Sequence, residues 1–239
     1  MRLTYIYHSG FAIEAANFTI IIDYYQDSIN KNHGVVTDRL LHRPQKLYVL
    51  VSHGHADHFN PEILKWREER QDITYIFSKD IETAAKTAFC DIIFIDKDEQ
   101  YKDDILQIDA FGSTDLGISF KIKADNKVIF HAGDLNNWHW NEESTDEEIK
   151  EAEEFYSREL DHLASSTPAI DIAMFPVDPR LGKDYMKGAD QFLEKIPTKL
   201  VIPMHFDTAY DKAAEIKNIA EKYNTEVFVP SHRGDTIEI

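Results

Sequence analysis

The apolar positions of this chain fall in short runs parted by polar turns, a spacing that predicts strands in preference to long buried helices. Residues 3–7, 11–14 and 18–22 read as three strands, with Ser9-Gly10 and Ala16-Asn17 as the turns between them. Residues 47–51 and 73–77 add two more. Between those, Asn60 suits an N-cap and Pro61 a first helical turn, so a helix starts there and runs to about Arg70. Residues 24–44 show no period, and Asn32-His33-Gly34 marks a turn within them. Ser78 is placed to cap a helix over 81–88, with the one cysteine, Cys90, packed at its end.

The second half repeats the style. Residues 92–95, 105–111, 117–122 and 127–130 predict strands, and Asp125-Asn126 is a hairpin turn. Thr145 and Glu148 form a capping box that opens a long acidic helix, with Ile149, Ala152, Phe155, Leu160 and Leu163 on its apolar face. Further strands fall at 170–175, 200–204, 226–229 and 236–239. Helices fall at about 184–195 and at 208–223, the latter capped by Thr208. Each half runs strands first and helices after. That order predicts two sheets packed face to face with helices outside, as a single α/β domain over residues 1–239.

Charge narrows the partners. The net charge of −17, from 26 basic and 43 acidic residues, argues against nucleic acid and against anionic membranes. A small anionic substrate stays open, because a metal and a few local cations can reverse the sign inside a pocket. One cysteine allows no intrachain disulfide. The stretch after Met1 lacks a signal-peptide core and no apolar run reaches membrane-span length, so the expected location is cytoplasmic.

The candidate chemistry follows the strand that ends at Val51. Ser52-His53-Gly54-His55-Ala56-Asp57-His58 places four metal-capable side chains between a strand end and a helix cap. His53 and His55, two apart, point to one side of an extended segment, while Asp57 and His58 diverge to serve a second position. Asp134 in His131-Ala132-Gly133-Asp134 and His205 in Pro203-Met204-His205 also follow predicted buried strands directly. Mixed histidine and carboxylate sets of this kind suit one or two divalent metals, zinc first, with manganese or iron as alternatives.

His53-x-His55-x-Asp57-His58, Gly133-Asp134 and Pro203-Met204-His205 resemble the signature motifs of the metallo-β-lactamase superfamily. More narrowly, the chain resembles the branch of metal-dependent hydrolases that includes the ascorbate-phosphate lactonases. Tyr7-His8-Ser9-Gly10-Phe11, Ile129-Phe130-His131 and Val201-Ile202-Pro203 carry that likeness across nearly the whole chain. The resemblance implies an αββα four-layer sandwich with the metals at one edge. It implies His53 and His55 on one metal, Asp57, His58 and His205 on the other, and Asp134 bridging. Asp57 would also hold the nucleophile that the metal makes from water near neutral pH. His8 falls near the pocket, where it could bind substrate or shuttle a proton.

One departure stands out. The family has a histidine after the strand ending near Phe111, and here the sequence is Gly112-Ser113-Thr114-Asp115. Asp115 is the one strong ligand in that loop and is expected to reach the first metal directly or through water; otherwise it bonds turn amides. Asp23 is expected to bond loop amides or to orient a ligand histidine. His131 reads as packing behind the site, His232 as a surface turn, and His33 and His42 as surface. Trp138 and Trp140 either wall a pocket or pack. Arg180 and Lys183 are the best cations for a phosphate or carboxylate. The whole predicts a metal-dependent hydrolase of a small ester, lactone or phosphoester. Its rivals are a nucleic-acid phosphodiesterase and a non-catalytic metal-binding protein on the same fold.

Overall fold

A computed structural model describes residues 1–82 and 91–239. The expected helix beyond Glu82, and Cys90, lie outside the described residues. The chain resolves into two compact units, Met1–Asp96 with Pro230–Ile239, and Lys97–Val229.

The first unit is built on a seven-stranded mixed sheet. Its strands are β1 (Arg2–Tyr7), β2 (Gly10–Glu14), β3 (Phe18–Ile22), β4 (Lys46–Val51), β5 (Ile73–Ser78) and β6 (Ile93–Ile95), with β14 (Thr236–Glu238) paired on the outer edge of β1. β14, β1, β2 and β3 pair antiparallel, and β3 to β6 run parallel. β3 is buried at every position, so its sequence, apart from Thr19, is apolar and does not alternate. In the parallel ladder Ile22 pairs with Leu50 and Val51 with Phe77, so the strand ends are level. Asp23 and the Ser52–His58 segment therefore leave the sheet at one edge.

The second unit carries β7 (Gln100–Lys102), β8 (Leu106–Gly112), β9 (Ile118–Ala124), β10 (Lys127–His131), β11 (Ile170–Pro176), β12 (Thr198–Met204) and β13 (Glu226–Val227). Their order is β13-β12-β11-β10-β9-β8-β7, parallel from β13 to β10 and antiparallel beyond. His131 pairs with Met174 and Pro176 with Met204, so Asp134, Asp178 and His205 again follow level strand ends. Loops beyond the carboxyl ends of parallel strands are where open α/β sheets place ligands.

Local readings hold or fail for visible reasons. The capping box forms: the Thr145 N–H donates to Glu148 Oε2 at 2.8 Å, and helix Asp146–Ser166 follows. Asp125 and Asn126 both take positive φ, as a two-residue hairpin requires. Thr208 caps nothing. The helix starts after Ala209 and breaks into Tyr210–Ala213 and Ile216–Ala220, although Ala213, Ile216 and Ala220 are buried as their period predicts. The helix expected from residue 184 begins at Lys187, after a tight turn over Pro179–Asp184 in which Gly182 takes φ +79°. β7 escaped the pattern because it is a polar edge strand of three residues. Among the described residues no helix is long and apolar enough to cross a membrane.

Candidate metal centre

In the first unit one buried carboxylate organises the histidines. Asp23 leaves β3 with φ +47°, a left-handed conformation that aspartate tolerates. Its Oδ1 accepts the Ser52 N–H at 2.7 Å, and its Oδ2 accepts Ser52 Oγ at 2.6 Å. The same Oδ2 lies 2.8 Å from His58 Nδ1, and both side chains are fully buried. Ser52 Oγ in turn lies 3.0 Å from His53 Nδ1. With Nδ1 held, Nε2 is the nitrogen of His58 that can coordinate. Asp23 thus bonds a loop amide, as expected, and also holds the imidazole of His58.

His53 Nε2 and His55 Nδ1 are 3.1 Å apart, with their rings edge to face. The turn is closed by the His58 and Phe59 N–H groups, both donating to His55 O. His8, buried and at φ +55°, sets Nε2 3.3 Å from Asp57 Oδ2. Ligand atoms of His8, Asp57 and His58 all lie within 4.8 Å of one another. The His8 contact, opposed by burial and helped by His58, holds the Asp57 carboxyl well below the usual carboxylate range.

In the second unit His205 leaves β12 at φ +64°, with Nδ1 3.0 Å from Asp178 Oδ2 and Nε2 3.5 Å from Asp134 Oδ1. Asp178 is buried and also takes the Arg180 guanidinium at Oδ1 and Oδ2. Burial opposes its ionisation, yet His205 and Arg180 together hold its carboxyl well below the usual range. Asp134 follows Gly133, at φ +53°, whose N–H donates to His131 Nδ1 at 3.2 Å. The packing role expected of His131 is therefore to order the turn that presents Asp134. The Asp134 carbonyl accepts from Trp138 Nε1 at 2.8 Å and from Thr114 Oγ1 at 3.2 Å.

Trp138 stacks on Trp140 and sets its ring 5.5 Å from that of His205. It walls an open cleft of about 460 Å³ that Glu148, Glu151, Glu154, Phe155 and Arg158 also line. Asp115 is exposed, and its N–H donates to Ser113 Oγ at 3.3 Å. His33, His42 and His232 are all exposed, as expected. Arg180 sets its Nε and Nη2 on Asp178 while its side chain stays largely exposed. Asp178 itself went unnoticed, although a carboxylate just after a buried strand, level with Asp134, was the available signal.

Residues 2–151 match the family described as the Beta-lactamase superfamily domain. The chain belongs to the metallo-β-lactamase superfamily of metal-dependent hydrolases and has its αββα fold. A UPF0173 metal-dependent hydrolase of Desulforamulus reducens is 25% identical over 95% of each chain. Among solved structures, Igni18, a metallo hydrolase of the archaeon Ignicoccus hospitalis, is 20% identical with TM-score 0.70, covering 99% of this chain and 97% of that one. The metallo-β-lactamase fold protein YhfI of Bacillus subtilis is 12% identical with TM-score 0.67, covering 99% and 98%. The diiron β-hydroxylase CmlA of Streptomyces venezuelae is 13% identical with TM-score 0.67, covering all of this chain and 54% of its own. At these identities the solved structures speak for the fold alone.

Proposed function

We propose that this chain hydrolyses an ester, lactone or phosphoester of a small anionic molecule. The metal ligands are His53, His55, Asp57, His58, Asp134 and His205. The observation that carries the reading is the pair of buried carboxylate–histidine contacts, Asp23 to His58 and Asp178 to His205. A carboxylate on Nδ1 fixes the tautomer and orientation of an imidazole and raises its basicity as a ligand. Nothing about core packing calls for that arrangement twice, each time just after a buried parallel strand.

The donor set fits a divalent cation, zinc first, with iron or manganese as the alternatives that the carboxylates allow. When bound, such a cation polarises the scissile bond and lowers the pKa of a water to near neutrality. The chain's own residues do the rest. Asp57, kept ionised beside His8, accepts a hydrogen bond from the attacking water. His8 Nε2 then relays a proton to the leaving group or binds the substrate. Asp115 reaches the first metal position directly or through a water. The acidic balance disfavours the nucleic-acid phosphodiesterase reading, and a chain with one cysteine suits a reducing, cytoplasmic setting.

Metal content and turnover, measured together, test this. Retained metal with turnover of a small lactone, ester or phosphomonoester is the expected result. Turnover of a phosphodiester or RNA alone would favour the nuclease reading, and metal without turnover of any panel member a binding protein.

A further inference from the structure

We propose that Arg233 recognises the acidic group of the substrate, a carboxylate or phosphate, at the His8 side of the metal centre. This rests on the reading of the site as a hydrolase of small anionic molecules. Arg233 sits in the turn before β14. That turn is locked to β1, since the Gly234 N–H donates to Tyr5 O at 2.8 Å and the Tyr5 N–H to Asp235 O at 2.9 Å. The guanidinium carbon lies 3.3 Å from the centre of the Tyr7 ring, and Nη1 donates to Gln26 Oε1 at 3.1 Å. Tyr7 stacks on Tyr25 at 5.9 Å, and Tyr25 meets the His8 ring edge-on at 6.4 Å. The guanidinium, two tyrosine rings and His8 thus form a chain of contacts that leads to Asp57.

What marks Arg233 is its counter-ion. Every other arginine faces a carboxylate: Arg2 faces Glu238, Arg39 and Arg43 share Glu14, Arg67 has Asp91, Arg70 Asp72, Arg158 Glu159 and Arg180 Asp178. Among the described residues Arg233 has Gln26 and the Tyr7 ring instead, and residues 83–90 contain no Asp or Glu. A partly buried guanidinium without a carboxylate is costly to keep, above all in a chain of net charge −17 that offers acids everywhere. Gln26 occupies one donor of the planar fork, and two more suffice for a bidentate oxyanion. Stacking on Tyr7 holds the plane still, so less side-chain freedom is lost on binding. The cleft beside Trp138 offers no equivalent. Its three glutamates repel an anion, and its Arg158 lies against Glu159 and the Phe155 ring.

The test measures dissociation constants of inorganic phosphate and of acetate for wild type, Arg233→Lys and Arg233→Gln. Each is run metal-loaded and after chelation, with metal content determined on every preparation. Arg233→Gln should weaken one anion about tenfold to a hundredfold, the scale of hydrogen bonds to a charged group. Arg233→Lys should keep part of the affinity, as a point charge without the fork. The anion that loses more identifies the substrate's acidic group. The difference should persist after chelation, so a chain that retained no metal would defeat the hydrolase reading while leaving this comparison intact. Equal constants for wild type and Arg233→Gln at equal metal content, or no binding of either anion to wild type, overturn the proposal. A fall in melting temperature with unchanged constants also overturns it and makes Arg233 an anchor for β14.

Discussion

The carboxylate of Asp23 stands 2.8 Å from Nδ1 of His58, and solvent reaches neither side chain. That contact joins the end of β3 to a helix-capping loop and sets the imidazole before any metal arrives. Asp23→Asn keeps the shape and removes the charge. It should weaken metal binding about 10- to 100-fold, the usual effect of losing an outer partner of a ligand histidine. Competition against a chelator of known affinity checks this, and an unchanged metal dissociation constant would exclude Asp23 from the role.

His205→Ala should lower metal content and melting temperature together in metal-containing buffer, because metal bound to the native state adds to folding stability. His42→Ala, on an exposed turn, should change neither. The decisive comparison is the melting temperature of each variant with and without chelator. If chelation lowers His205→Ala as much as wild type, His205 is not a ligand.

Acid should reveal Glu14. Its buried carboxylate receives Arg39 at 2.5 Å and Arg43 at 2.6 Å. Burial alone would raise its pKa, but the two arginines bring it below the ordinary 4.5. A depressed folded-state pKa gives stability that is fully present above the unfolded value and is lost as pH falls through the folded one. Glu14→Gln should therefore cost about 1–3 kcal/mol at neutral pH, less than a fully buried pair because Arg39 is half exposed. The gap to wild type should begin to narrow below pH 4.5 and go on narrowing as pH falls further. Urea titrations at pH 7 and pH 3.5 would show it, and a gap of constant size refutes the ion-pair account.

Gly112 ends β8, and a Cβ there would run into the carboxylate of Glu159. Glu159 is buried and holds Lys97 at 2.6 Å, so it cannot simply swing away. Gly112→Ala should destabilise by about 1–3 kcal/mol through overpacking. Combined with Glu159→Ala, the pair should be non-additive in the relieving direction by about 0.5–3 kcal/mol. Strict additivity in a denaturant double-mutant cycle would dismiss the collision.

Asp115→Asn addresses the loop where the family's histidine is missing. If Asp115 joins the first metal position, metal per chain should fall by about one equivalent and the balance should move from manganese or iron toward zinc, since a hard oxygen is lost. Elemental analysis of both proteins settles it: unchanged occupancy with unchanged preference leaves Asp115 as a turn residue.

Most strands could be read from apolar runs, because a sheet buried on both faces writes itself as Phe18-Thr19-Ile20-Ile21-Ile22 or Leu47-Tyr48-Val49-Leu50-Val51. The histidine cluster could be read because its members are neighbours in sequence. What stayed hidden depends on residues far apart in the chain. Asp178 meets His205 across 27 positions and Arg233 meets Gln26 across 207. Nothing local distinguishes Arg180, which ends on Asp178, from Arg233, which ends on an aromatic ring. Helix starts failed where backbone conformation overrode propensity, as at Gly182 with its positive φ and at Thr208, whose side chain caps no helix.

β14 belongs to a sheet whose other strands are all made before Lys97. On the ribosome, β1 therefore waits with a bare outer edge while more than half the chain is still being translated. An unpaired edge is a template for strand exchange with another nascent chain. Synthesis interrupted before Pro230 would leave both that edge and the Tyr7 ring uncovered. Co-translational chaperone dependence should thus track the synthesis of residues 230–239, and a deletion there would be felt at β1, more than 220 positions earlier in the chain.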